Sequence, residues 1–298
     1  MSTILRMFAV LFMAAAMVAG PARAQQMTEV RMATLAPSAL LWLHAIAKSE
    51  GFYAERKIEV KELVAGSSPA LLQAVSSGSV EAGVSLGDVV IRAIDQGAGV
   101  VIAGATVTAG AVEGGTANLL RYQLDRGGID SRGVKMVALT NSRDRVVALG
   151  NGQVKGALLI APFDTLAERE KMKILDVYRE PYVQTPLILN KAWAEKNKDA
   201  AIGLTKALQK ASNWIYDPSN KQRAIEILAA YTKVPADVCA ESYKFIVEDQ
   251  KAIGRNLEVP AEGLSNIIKI DQAIGVSPAS SKPFELSRYF DPSYLAAK

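Results

Sequence analysis

In a chain of 298 residues with 34 basic and 30 acidic side chains, one histidine and one cysteine, several chemistries are excluded at once. Cys239 alone forms no internal disulfide, His44 alone forms no paired-imidazole metal site, and the basic residues are scattered rather than clustered as phosphate tracking requires, so nucleic acid is not an expected partner. The length suits two lobes of common size, and few aromatics among abundant Ala, Val, Ile and Gly suit an α/β protein.

Residues 1–24 read as an export signal. Arg6 gives a positive start, Met7 to Gly20 is apolar and small, and Ala22-Arg23-Ala24 is a small-x-small cleavage pattern, so the mature chain is expected to begin at Gln25 in the periplasm. The apolar run is shorter than the roughly 20 residues that span a bilayer. No cysteine follows Ala24, so no lipid anchor is expected there. Loss of Arg6 and Arg23 lowers the formal net charge from +4 to +2.

Beyond Gln25, β-branched runs alternate with helical patterns. Strands are predicted at 28–33, 58–63, 82–84 and 100–105. Helices are predicted at 40–50, 67–77 (Ser67 or Ser68 as N-cap, Pro69 in the first turn) and 88–96. Such alternation implies parallel pairing with right-handed crossovers. Ser77-Gly78-Ser79-Val80-Glu81-Ala82-Gly83 then lines up with Asn151-Gly152-Gln153-Val154-Lys155-Gly156-Ala157. Both read as helix, glycine turn, short apolar strand, loop and helix, the loops ending at Asp88 and Asp164. A strand is predicted at 171–177, and the proline-interrupted run 181–189 reads as a crossing strand. The remainder reads as helices at 192–196, 198–216, 221–232, 236–246 and 261–274, closed by a cap at 284–294.

Gly51-Phe52-Tyr53-Ala54-Glu55-Arg56-Lys57-Ile58-Glu59-Val60 resembles a segment of the substrate-binding proteins of nitrate, sulfonate, taurine and thiamine-precursor importers, the NMT1-like family. The pieces that follow agree in order: Val64–Leu72, Ser77–Gly83, Gly152–Ala157 running into Pro162-Phe163, Ala211-Ser212-Asn213-Trp214-Ile215, and Asp217-Pro218 with Ala224–Thr232. The resemblance implies an α/β, type II periplasmic-binding-protein fold. Its discontinuous first lobe takes 25–107 and 187–298, and its second takes 108–186. The family's outgoing hinge strand and first second-lobe strand are not matched after Val107, so the second lobe is expected to be shortened and ligand binding weakened. The implied partners are a small-molecule ligand and ABC permease subunits, for a monomer without cofactor or metal.

Loops at the C-terminal ends of such strands line the ligand cleft, and helix N-termini there, with unpaired N–H groups and positive dipole ends, suit anions. The candidate ligand-binding residues are Pro37, Ser38 and Trp42 around the first helix, then Ser67 and Ser68, then Ser85, Gly87 and Asp88. Gly114, Gly115, Thr116 and Asn118 open the second-lobe helix; Phe163, Asp164 and Tyr182 complete the set. Each hydroxyl also suits simple capping, Trp42 and Tyr182 also suit packing, and Asp88 and Asp164 also suit capping. No serine elbow, P-loop or dinucleotide fingerprint occurs. The cysteine-rich motif and histidine of relatives that make the thiamine pyrimidine are likewise unmatched, so no catalytic residue is expected. An exported enzyme or sensor-linked module on the same scaffold is the alternative.

Overall fold

The computed structural model describes residues 27–107, 117–277 and 283–296. The segment read as an export signal, and Gly114, Gly115 and Thr116, lie outside them. Strand β1, Thr28–Thr34, buries Val30 and Met32 on one side and Ala33 on the other, the alternation that a pleated strand imposes. A single 3-10 turn, Ala39–Leu41, leads into α1, Trp42–Ser49. Gly51, at φ 74°, turns the chain into the short α2, Phe52–Glu55, and then β2, Ile58–Val64. Helix α3, Ser68–Ser76, starts as read: Ser67 Oγ accepts the Ala70 N–H at 3.3 Å, and a proline sits in the first turn. Then follow β3, Ala82–Val84, α4, Gly87–Asp95, and β4, Val100–Val107.

The middle stretch carries α5, Ala117–Arg126, α6, Ser142–Gly150, and α7, Phe163–Arg169. The chain returns through β5, Thr185–Asn190, and continues as α8, Lys191–Lys196, α9, Lys198–Trp214, α10, Lys221–Thr232, α11, Ala236–Tyr243, and α12, Ala261–Ala273. One sheet results, in the order β2-β1-β3-β5-β4. β1 is parallel to β2 and β3, whereas β5 runs antiparallel to β3 and β4. One face packs Met32, Val84, Leu187 and Leu189 beneath α1, α9 and α10; the other packs Ala33, Ile102 and Ile188 beneath α3, α4 and α12. The C-terminal cap covers the outer edge of β4: Ile102 N–H donates to Tyr289 O at 3.0 Å and Asp291 N–H to Ile102 O at 3.1 Å.

The repeat is a repeat of geometry. Gly78 and Gly152 take φ of 78° and 70°. The N–H groups of Val80 and Val154 bond back to Ala74 O and Ala148 O at 3.2 and 3.3 Å. Beyond the turn the two copies diverge. The first enters β3; the second does not form the strand predicted for it, nor does 171–177 form a strand, and among the described residues 117–184 hold none. A strand persists through its neighbour's ladder. Here the carbonyls of Leu139 and Leu158 are instead taken by the Arg145 guanidinium, each at 2.9 Å, and Leu175 is 87% exposed.

The returning chain is gripped before it becomes β5. Val183 runs between Gly87 and Gly263: a Cβ on Gly87 meets Val183 O at 2.1 Å, and one on Gly263 meets Val183 N at 3.1 Å. Gly87 N–H donates to Gln184 O at 3.0 Å, Ser85 N–H to Pro186 O at 3.3 Å, and Asn266 Nδ2 to Pro181 O at 2.9 Å. Thr106 Oγ1 closes the crossing by donating to Thr185 O at 2.8 Å. The strand predicted from 181 therefore begins only at Thr185; before it, Pro181 and Val183 bond to α12 and Gln184 to the start of α4. A methyl at position 87 has nowhere to go. Gly87→Ala is expected to cost about 1–3 kcal/mol in urea unfolding, whereas Gly97→Ala, with open space around it but φ 88°, is expected to cost about 1 kcal/mol.

Candidate functional site

The loops that carry the predicted residues meet where the chain crosses between the sheet and the middle stretch. Ser38 is buried at the start of the 3-10 turn, with Pro37 half-buried beside it. The next N–H, of Ala39, donates across to Ala161 O at 2.9 Å. The Pro37-Ser38 and Ala161–Asp164 loops thus touch. On α4, Asp88 accepts from Arg92 Nη2 at 3.1 Å and from Asn118 Nδ2 at 3.2 Å. Arg92 Nη1 reaches Asp271 at 2.6 Å, and Asn118 also donates to Asp271 at 3.3 Å. Two predicted residues, Asp88 and Asn118, are therefore brought together from separate segments, with Arg92 and Asp271 between them. Burial lifts both carboxyls above their ordinary range, against the pull of Arg92.

Other predicted residues serve the fold. Trp42 is wholly buried; its Nε1 donates to Ala224 O at 3.0 Å, and its ring meets Tyr243 edge-on at 5.9 Å. Tyr182 is buried edge-on against Tyr178, 5.7 Å away. Phe163 is buried beneath the Arg143 guanidinium, 5.3 Å from its ring. Gly87 makes room for Val183, and Ser67 is an exposed cap. Ser68 is buried behind it. Asp88 and Asp164 sit one residue inside their helices, the flanking cap positions being Leu86 and Pro162, so they act on the first turn from within it.

Four of the buried polar atoms without a hydrogen-bond partner lie on the loops of the crossing, Ser85 Oγ, Gln184 Nε2, Asp88 Oδ1 and Asp164 Oδ1; His44 Nε2, Tyr178 OH and Ser293 Oγ are in the same condition. Ser85 and Gln184 are 0% and 1% exposed and lie on backbones bonded to one another. At Asp88 the neighbouring Val89 N–H still draws the carboxyl pKa down, so Ser85 and Gln184 are the clearer orphans. Sequence reading missed Gln184, because an amide inside an apolar crossing carries no signal until its neighbours are known. Two open depressions lie elsewhere, one around Asp125–Arg132 and Ala273–Gly275, the other between α3 and α4; neither is lined by Ser85 or Gln184.

A second polar cluster surrounds Glu62 and leaves one buried atom, His44 Nε2, without a hydrogen bond. Glu62 accepts from Thr34 Oγ1 at 3.1 Å, Tyr231 OH at 2.7 Å and Lys48 Nζ at 3.1 Å, and His44 Nε2 stands 3.4 Å away. His44 Nδ1 pairs with Tyr53 OH at 2.9 Å. Burial pushes the Glu62 carboxyl up, but His44, Tyr231 and Lys48 together hold it well below the usual range. Among the described residues no group of three or more His, Cys, Asp and Glu could hold a metal ion, and no helix is long and apolar enough to cross a membrane.

Burial, with a lesser push from Glu168, raises the Asp164 carboxyl to about 6, although N–H groups at the helix start pull it down. Between about pH 4, where an unfolded aspartate titrates, and about 6, the folded chain holds a proton that the unfolded chain has released. Stability from this residue is full below that window and is lost as pH rises through it. Asp164→Asn is expected to flatten this dependence in urea titrations at successive pH values.

The NMT1-like family model matches residues 102–229. No curated protein sequence matches the chain. Among solved structures, a protein from Bordetella bronchiseptica RB50 is 16% identical at TM-score 0.74, covering 91% of this chain and 96% of its own. The ligand-binding component of an ABC-type import system from Staphylococcus aureus, with zinc bound, is 14% identical at TM-score 0.69, covering 90% and 98%. The alkanesulfonate-binding protein SsuA from Xanthomonas axonopodis pv. citri, bound to MOPS, is 14% identical at TM-score 0.63, covering 84% and 94%. Not every sharer of the fold is named as a binding protein: a DSZB mutant in complex with biphenyl-2-sulfinic acid is 13% identical at TM-score 0.61, covering 89% and 97%. The chain has the periplasmic-binding-protein fold, and the match to the NMT1-like family model over residues 102–229 agrees with the resemblance carried by its sequence motifs.

Proposed function

We propose that this chain is the solute-binding component of an ABC importer. Exported to the periplasm, it captures a small organic or anionic solute between its two lobes as a monomer and presents it to permease subunits. The observation that carries the reading is the pair of buried, unpartnered polar groups at the crossing, Ser85 Oγ and Gln184 Nε2. Buried polar atoms without partners are rare in folded proteins, and an absent ligand or ordered water is their ordinary explanation. The likeness to ABC-type import components supports the same reading.

Closure here has nameable contacts. Ala39 N–H holds Ala161 O, Arg143 Nη2 holds Thr232 O at 2.7 Å, and Arg169 pairs with Asp237 and Glu241. These are the bonds that opening breaks, while Thr106 and Thr185 stay together at the hinge. Binding rather than catalysis fits the remaining chemistry. Burial pushes the Cys239 thiol up to about 11, and its Sγ faces Val234 O, so it offers no thiolate nucleophile. The resemblance to the DSZB mutant structure keeps an exported enzyme as the second reading.

Cys239 is buried, so labels introduced by Lys155→Cys and Lys210→Cys report the separation of the lobes without interference. In a panel of sulfonates, nitrate and pyrimidine-like solutes, the true ligand is expected to narrow the distribution of distances between these labels. At 100 times its Kd it is expected to add about 2.7 kcal/mol of stability. No solute altering either quantity removes the reading, as does recovery of an exported chain that does not begin at Gln25.

A further inference from the structure

The charge of the loops around Ser85 and Gln184 selects the solute's chemistry, on the understanding that this crossing is the binding site. By sequence, the loops 35–38, 65–68, 85–88, 161–164 and 181–185 contain no Lys, Arg or His; they contain Asp88 and Asp164. Arg92, which does touch Asp88, is also bound by Asp271, so the three charges sum to −1. The dipole of α4, which in other proteins draws anions to a helix start, is already met by its own Asp88 in the first turn.

An oxyanion set against Ser85 and Gln184 gains two neutral donors, meets carboxylates nearby and finds no free cation on the described loops. Repulsion between like charges a few ångströms apart in a water-poor site outweighs a pair of neutral hydrogen bonds. The unpartnered atoms ask for something else. Gln184 Nε2 and the Ser85 hydroxyl can each donate to a carbonyl oxygen or ring nitrogen, and the free edge of Asp88 accepts an N–H. Gln184 is also pre-set, because its carbonyl is bonded to Gly87 N–H and its neighbour Val183 is wedged between two glycines. We infer that the site takes an uncharged or cationic solute with N–H donors beside an oxygen or nitrogen acceptor, and rejects oxyanions, with Gln184 and Ser85 as the residues that read it.

Thermal shift and calorimetry with probes of one ring and four head groups test this: benzamide, benzamidinium, benzoate and benzenesulfonate at matched concentration, with nitrate and cytosine beside them. The expected result is stabilisation by members of the uncharged and cationic set and none by the anions. Gln184→Met is expected to leave the unliganded protein at least as stable, since it removes a buried donor that nothing pairs, yet to weaken binding by about tenfold. A purely structural glutamine does the reverse. Stabilisation by benzoate, benzenesulfonate or nitrate beyond their uncharged counterparts overturns the inference while leaving solute capture intact. So does unchanged affinity in Gln184→Met. A protein that responds to no solute of either charge class removes solute capture itself, and the inference with it.

Discussion

The passage of Val183 between Gly87 and Gly263 is the constraint on which this architecture rests. It fixes where the middle stretch ends and the sheet resumes, and it leaves no room for a side chain on α4 or α12 at that point. From it follow the bonds that tie Gln184 and Pro186 to the start of α4, and then the register of β5 against β3 and β4. Because, among the described residues, β5 alone joins β3 to β4, an error at Val183 propagates through the centre of the sheet. The tightest glycine site among the described residues, Gly87, thus lies next to unsatisfied polar atoms. Rigid backbone beneath a few unpaired donors is what a recognition surface needs.

The two polar clusters show how similar residues come to different ends. Around Glu62 every strong acceptor site is met by a donor from β1, α1 or α10, and the carboxyl stays ionised far below its usual range. Around Asp88 the same kind of carboxyl is buried with one cation shared between two acids, and its pKa rises. The first arrangement consumes the capacity of its carboxylate and leaves only His44 Nε2, 3.4 Å from Glu62, without a hydrogen bond. The second leaves capacity over, next to a hydroxyl and an amide in the same condition. That difference, more than the residue types, separates a structural cluster from a candidate site.

Much of the fold was legible because it depends on local pattern. The period-two burial of β1, the Ser67-Pro69 start of α3 and the paired glycine turns at 78 and 152 are each set by nearest neighbours in sequence. The failures share one cause. The run 171–177 has the composition of a strand, yet a strand also requires a partner, and composition says nothing of one. Trp42 and Phe163 suit a cleft by type, but α10 and Arg143 cover them, and those neighbours lie far along the chain. Ser85 and Asp88 were accessible from their loop. Gln184 was not, since its significance lies in what fails to bond it.

The strand order has a consequence for synthesis. β4 ends at Val107, but its only strand neighbour, β5, begins at Thr185. While the ribosome works through the residues between, β1, β2 and β3 can pair among themselves and β4 cannot. The second side of the sheet is assembled only after the whole middle stretch has emerged, and its outer edge is sealed later still, when Tyr289 and Asp291 reach Ile102. Long delays of this sort keep a nascent chain loose. Under the export proposed for this chain, such lateness keeps the precursor threadable until translocation has begun.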